Sequence, residues 1–531
     1  MTVHSNGEQF SRRQALRLAG GATAATMLAG NPLSSAAQLA TPEASPVASP
    51  AATPLASSGP ITIYPTGANL PTDPVTFRWM VRGLGPIKGL YDQFFPVYQQ
   101  AHPNITIVYE GLPPAELTQV LPLGIRNGTA PDCFETPDNL SESDMVREGW
   151  LRPIDDIMPN FEEWKQSLPP GVLLEGVGMY GGQTYAFPYC SNRNYTTLSL
   201  FNADHMQQAG YDPSTEPLTW STFREAARKI TEQGNGQYYG YIMGGGQVGL
   251  LADLVSNFAE MAGATGGVLN LTTGEYNYTS DEFIAAIELL LALQSDGSIF
   301  PGSLQLNGPE ARNMITQGVA GMINQGSWNI PVWQQDNPDF NFGVGSQPVP
   351  DAGTPVPIGL GPGSWLPIYV YSGSQNPEIA GDIFSYLASE EGQTVLATST
   401  GGFPMPLSAE IRQRPNVVES LGPRMVKAYE LFDQQLRTAP DPTVRNPDVG
   451  QVFLEMRALT PNFGETVQGL LTGQLSDVQQ AMQDLQDRAD AELERGIKAA
   501  QGKGAQVSRD DWVFPNYDPT RDYTDEDYSA L

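Results

Sequence analysis

Between residues 75 and 109 the sequence changes its hydrophobic period twice, and this limits the possible folds more than any other feature of the chain. Val75-Thr76-Phe77-Arg78-Trp79-Met80-Val81 alternates at period two and ends in the turn Arg82-Gly83-Leu84-Gly85. Residues 91–100 then carry Phe94, Phe95 and Tyr98 at helical spacing, and Ile105-Thr106-Ile107-Val108-Tyr109 alternates again. Strand, helix and strand within about thirty-five residues make a βαβ unit, so the fold class is α/β. A further helix is expected at 117–127, then the turn Gly128-Thr129-Ala130-Pro131 and a short strand at Cys133-Phe134.

Later segments extend the pattern without any internal repeat. Thr219-Trp220 opens a helix with Trp220, Phe223, Ala227 and Ile230 on one face. Thr279-Ser280-Asp281-Glu282 has capping-box spacing, in which the Thr279 hydroxyl and Glu282 carboxylate would satisfy free backbone N–H groups. The stripe behind it, Phe283, Ile287, Leu290 and Leu291, reads as core. Residues 478–498 form a long, polar, Gln-rich helix, and 510–531 an acidic, Tyr-rich tail.

Composition removes whole classes of function. The 531 residues suffice for two lobes or domains of ordinary size. Acids outnumber bases 58 to 28, a formal charge of -30, and such a field repels phosphate backbones and anionic lipid. No nucleic-acid partner is expected. The three histidines, His4, His102 and His205, exclude a His-rich metal site, and the two cysteines, Cys133 and Cys190, allow one bridge at most and no zinc cluster. No G-x-S-x-G elbow, P-loop or H-E-x-x-H occurs, so no catalytic residue, metal or cofactor is expected.

The N-terminus reads as an export address. Arg12 and Arg13 precede a mildly apolar stretch at 18–30, which ends in small residues at 34–37. The stretch is too short and too rich in Gly and Ala for a comfortable membrane span, and it resembles a twin-arginine signal. No cysteine follows it, so the protein is not expected to be a lipoprotein. Residues 41–60 are a Pro/Ala/Ser-rich spacer. Export to the periplasm or outer cell surface, with a mature start between 37 and 41, is the expectation.

Four further segments carry a family resemblance. They are Gly128-Thr129-Ala130-Pro131-Asp132-Cys133-Phe134 followed by Glu148-Gly149-Trp150-Leu151-Arg152-Pro153-Ile154-Asp155; Gly182-Gln183-Thr184-Tyr185-Ala186-Phe187-Pro188 followed by Leu200-Phe201-Asn202 and Pro217-Leu218-Thr219-Trp220; Gly318-Val319-Ala320-Gly321-Met322 followed by Gly326-Ser327-Trp328; and Gly361-Pro362-Gly363-Ser364-Trp365 followed by Ser389-Glu390-Glu391-Gly392. Their order over residues 75–505 resembles the family 1 extracellular solute-binding proteins, the maltose-binding-like receptors of ABC importers. A few extra residues between Pro188 and Asn202 depart from the pattern.

The resemblance implies a two-lobed periplasmic-binding-protein type II architecture with three hinge crossings, near 189–194, 348–357 and 403–407. It divides the chain into a signal peptide at 1–40, a linker at 41–74, a first α/β lobe from 75–190 and 353–404, a second from 191–352 and 405–505, and an acidic tail at 506–531. The implied function is capture of a small carbohydrate, a neutral mono- or oligosaccharide, by a monomeric receptor that delivers it to ABC importer permease subunits. An exported carbohydrate-active hydrolase and a surface glycan-adhesion module are the alternatives.

A sugar site needs flat aromatic platforms and a few oriented polar groups. Trp328 and Trp365, each after a Gly-Ser turn, are the candidate platforms; they map to opposite lobes and could enclose one sugar, or else belong to the core. Trp79 shares the face of Phe77 and reads as core. Arg82, past the first strand, could reach a hydroxyl or carboxylate, or be simply solvated. Glu135 and Asp138 lie at the carboxyl edge of a strand, where ligands of open α/β sheets collect. Asn192, Ser364 and Gln247, the last in Gly244-Gly245-Gly246-Gln247, complete the candidate ligand-binding set. Cys133 and Cys190 follow strands that lie close together in the family, so a disulfide or a pair of buried thiols is open.

Overall fold

The computed structural model describes residues 53–83, 85–136, 140–194 and 196–531. The export segment, most of the spacer and Asp138 lie outside the described residues.

The first sheet runs in the order Ala186–Phe187, Ile368–Tyr371, Cys133–Glu135, Val75–Arg82, Ile105–Leu112, with Leu151–Arg152 also on Ile368–Tyr371. Val75–Arg82 and Ile105–Leu112 pair in parallel along their whole length, as a βαβ unit demands, and the second strand continues past Tyr109 to Leu112. The crossover helix Gly85–Ala101 starts well before Tyr91, with Pro86 in its first turn, where a missing N–H is harmless. Its inner face buries Ile87, Leu90, Tyr91, Phe94, Phe95 and Tyr98. Trp79 is fully buried among Tyr91, Phe95 and Phe384, in agreement with its strand phase. Helices Pro377–Ala388 and Glu390–Ser399 complete this core.

The second sheet has the order Tyr239–Tyr241, Ala320–Gln325, Leu198–Asn202, Phe342–Gly345. Leu198–Asn202 is buried at every position and antiparallel to both neighbours. Helices Trp220–Gly234, Val248–Ala262 and Asp281–Ser295 share a core on this sheet. The first is capped by Thr219, whose Oγ1 accepts from the Thr222 N–H. The third is capped one residue later than the spacing suggests. Ser280 accepts from the Phe283 N–H, while the Thr279 hydroxyl donates to Gln486 Oε1 at 2.8 Å, on helix Val478–Gly502. A tertiary partner has taken the hydroxyl that the local motif would use.

Residues 188–197 lead from the first sheet to the second, and 346–367 lead back. The stretch 348–357 falls inside the second of these segments. The Val349 N–H donates to Leu218 O and the Val356 N–H to Met261 O, so the backbone there is satisfied by the second layer. The chain leaves through strand Ile358–Leu360, paired in parallel with Leu436–Thr438. Beyond Phe403, helices Ala409–Gln413 and Pro415–Gln435 pack in a core with second-sheet residues Leu198, Ile323 and Val344. The C-terminal residues expected as an acidic tail are folded in, with Trp512, Phe514, Tyr517 and Tyr523 buried. Among the described residues no helix is long and apolar enough to cross a membrane.

Candidate functional site

Strand ends and inter-sheet segments bring five of the eight candidate residues into one connected group. At the carboxyl end of Val75–Arg82 the Arg82 N–H donates to Glu135 Oε2 at 3.0 Å, and the guanidinium donates to Thr136 O at 2.9 Å. Arg82 Nε lies 3.8 Å from the same Glu135 oxygen. Glu135 has no exposed surface, and the Tyr189 hydroxyl lies 3.5 Å from its Oε1. Burial pushes the Glu135 carboxyl up to about 8 from an ordinary 4.5, outweighing Arg82 and the hydrogen bonds. Tyr109 is pushed up to about 12 by its own burial and then by Glu135. At neutral pH this group therefore holds a protonated carboxyl, neutral phenols and one guanidinium.

From Tyr189 the group continues through the next residue. The Ser364 hydroxyl donates to Cys190 O at 2.7 Å, and the Cys190 thiol to Trp365 O at 2.7 Å. Both cysteines are free and buried. The Ser191 N–H donates to Met405 O at 2.8 Å, drawing in the segment that carries Phe403. Trp365, half-buried and packed against both the first-sheet core and the core that contains Phe403, meets that ring at 5.0 Å and 59°. Trp328, also half-buried, meets Phe403 from the second-sheet side at 5.7 Å and 66°. The two tryptophans thus flank one phenylalanine and do not face each other across an open gap.

The Gly-Ser-Trp turn has a steric reason. The Trp328 ring folds back over Gly326 so closely that a Cβ there would lie 2.0 Å from it. Ser327 Oγ donates to Asn194 Oδ1 at 3.0 Å, tying the turn to the segment between the sheets.

Asn192 and Gln247 stand apart. The Asn192 amide donates to Gly361 O at 2.7 Å, and Asn192 lines a cavity of about 460 Å3 with Arg193, Arg412 and residues 522–524; Arg82, Trp328 and Trp365 do not line it. Gln247 Oε1 accepts from the Gly308 N–H at 3.3 Å. A Cβ at Gly244 would lie 2.8 Å from Gly308 N, and one at Gly246 2.6 Å from Gln305 O, so the glycine run serves close packing of two chain segments. Asp138 lies outside the described residues. Sequence reasoning missed Tyr109, Tyr189 and Phe403 as site residues. Tyr109 follows Ile107 in the strand alternation, a signal that was available, whereas nothing in the sequence shows where the Phe403 ring points. Among the described residues no group of three or more His, Cys, Asp or Glu could hold a metal ion.

Known proteins share the fold. Residues 85–394, more than half of the chain, match the family described as bacterial extracellular solute-binding protein. Putative binding proteins of Brucella abortus and Brucella suis are 22% identical over 315 residues, covering 59% of this chain and 72% of theirs. An ABC transporter solute-binding protein of Thermotoga lettingae, bound with α-D-tagatose, superposes with a TM-score of 0.60 at 20% identity, over 79% of this chain and 99% of that one. Maltose-bound MalE3 of T. maritima has a TM-score of 0.61 at 19% identity, over 78% and 99%. The GacH receptor of Streptomyces glaucescens, studied with acarbose, has 0.59 at 18%, over 79% and 98%. The fold is that of the MalE-like binding proteins, and the chain belongs to the bacterial extracellular solute-binding proteins, receptors that hold a solute and carry out no reaction on it.

Proposed function

We propose that the protein captures a neutral mono- or oligosaccharide between two α/β lobes, by hinge closure, and delivers it to the permease subunits of an ABC importer. The observation that carries this reading is the meeting of Trp328, Phe403 and Trp365 beside the Arg82–Glu135–Tyr189 group. Rings supply stacking faces for the C–H surface of a sugar, and the polar group supplies partners for its hydroxyls. Arg82, Glu135, Ser364, Trp328 and Trp365 are the ligand-binding residues of this reading, with Tyr109 and Tyr189 added; Asp138 joins them from its place in the sequence.

Segments 189–194, 358–365 and 403–407 are the hinge crossings in this account. Each joins the two cores, and a solute that touches both lobes at once favours the closed form by its differential affinity. The tagatose, maltose and acarbose named for the structural relatives agree with a carbohydrate ligand. The arginine pair Arg12-Arg13 supports export by the twin-arginine route, to the periplasm or outer surface. Family membership removes the hydrolase alternative.

The test is a melting-shift series with neutral mono- and oligosaccharides, with product analysis of the same samples. A shift with an unchanged sugar supports the reading. Shifts confined to polyamines, peptides or phosphate esters defeat it.

A further inference from the structure

We infer that the C-terminal segment 505–531 is a brace on the hinge, tying two of the passages between the lobes through Asp522 and Tyr517 and so restricting lobe rotation in the ligand-free protein. This rests on the hinge reading above.

The segment is first anchored on the second-lobe side. It continues from helix Val478–Gly502, and Ala505, Val507 and Trp512 share a core with Val449, Val452, Leu493 and Ile497. The Phe514 N–H then donates to Leu271 O, and Arg509 pairs with Asp490 at 2.8 Å. From this anchorage the chain reaches both passages. The Tyr517 hydroxyl lies against Gly359 in the return passage, where an added Cβ would be 2.7 Å from it and 3.2 Å from the buried Glu260. The Gly359 N–H itself donates to Glu260 Oε1 at 2.9 Å.

Asp522 makes the second tie with both oxygens. Its Oδ2 pairs with Arg193 at 2.7 Å, in the outgoing passage, and its Oδ1 accepts from the Thr438 N–H at 2.7 Å. The Tyr523 N–H donates back to Thr438 O at 2.9 Å, so residues 522–523 lie along strand Leu436–Thr438, itself paired with Ile358–Leu360. Rotation of the lobes moves Arg193 and Gly359 relative to the anchorage, and the brace resists it. On its far side residues 522–524 face Pro169, Pro170 and Gly171, which follow the first-lobe helix Phe161–Ser167, across the cavity of about 460 Å3, which leaves room for limited movement.

Hydrogen exchange on the ligand-free full chain tests this with Asp522→Ala and Asp522→Asn, the second retaining an acceptor for Thr438 should the first fold poorly. The Thr438 amide reports loss of the contact itself. The inference expects the amides of Ser191 and Gly359 to exchange about tenfold faster in D522A, and faster to a smaller degree in D522N, while strand Leu198–Asn202 keeps its protection. Faster exchange at Thr438 with no change at Ser191 and Gly359 in either variant overturns it, since the segment would then be packing alone. Failure of the carbohydrate reading shows separately, as absence of any sugar-dependent melting shift, and leaves this comparison intact.

Discussion

Replacing Glu135 by glutamine tests the electrostatics of the site through its pH dependence. The carboxyl is fully buried and held up at about 8, against 4.5 for the ordinary group. Between those two values the unfolded chain releases the proton while the folded chain keeps it, so folding stability falls as pH rises. Each pH step of one in that window withdraws about 1.4 kcal/mol, which amounts to roughly 3 kcal/mol by pH 7. The entropy of unfolding for a chain of this size is about 1 kcal/mol/K, so the expected effect on Tm is roughly 3 °C. Glutamine keeps the shape and an acceptor for the Arg82 N–H but has no proton to lose. Differential scanning calorimetry at pH 5 and pH 8 should therefore show nearly equal Tm for wild type and Glu135→Gln at pH 5, with the variant higher at pH 8. Glu260, raised to about 8 by burial, and Glu142, raised to about 7, slope both proteins the same way and cancel in the difference. A difference that stays constant with pH, or grows in favour of wild type, would refute a neutral Glu135.

Other outcomes follow from the same geometry. Trp328→Ala should weaken sugar binding by about tenfold or more in calorimetric titration, since the ring contributes stacking beyond area burial; unchanged affinity removes Trp328 from the site. Cys133 and Cys190 are buried free thiols, and burial raises both above the ordinary thiol range, so a thiol reagent should find no reactive group in the native protein and two after denaturation. Intact-mass analysis of exported protein should give an N-terminus between residues 37 and 41; retention of Met1 or Thr2 contradicts the export reading.

The βαβ opening and the buried phase of Trp79 were legible because periodicity reports burial directly when the element is regular. The cap at Thr279 was misread because a local motif says which groups need partners but not which distant residue, here Gln486, will supply them; the Gln247 side chain likewise meets the distant Gly308 N–H. The folded state of residues 505–531 was hidden because irregular backbone has no period. Trp512, Phe514, Tyr517 and Tyr523 are buried one by one among acidic neighbours, and average composition sees the acids. Trp328 and Trp365 could be chosen from their Gly-Ser turns, but the ring of Phe403 between them depends on how the segments between the sheets meet.

The most direct test of the central claim is mass spectrometry of the solute released from gently purified wild-type protein, set beside Trp328→Ala prepared identically. The account predicts a mono- or oligosaccharide mass from the wild type and its loss from the variant. A peptide, polyamine or phosphate ester from the wild type, or the same sugar at the same occupancy in both proteins, would contradict it.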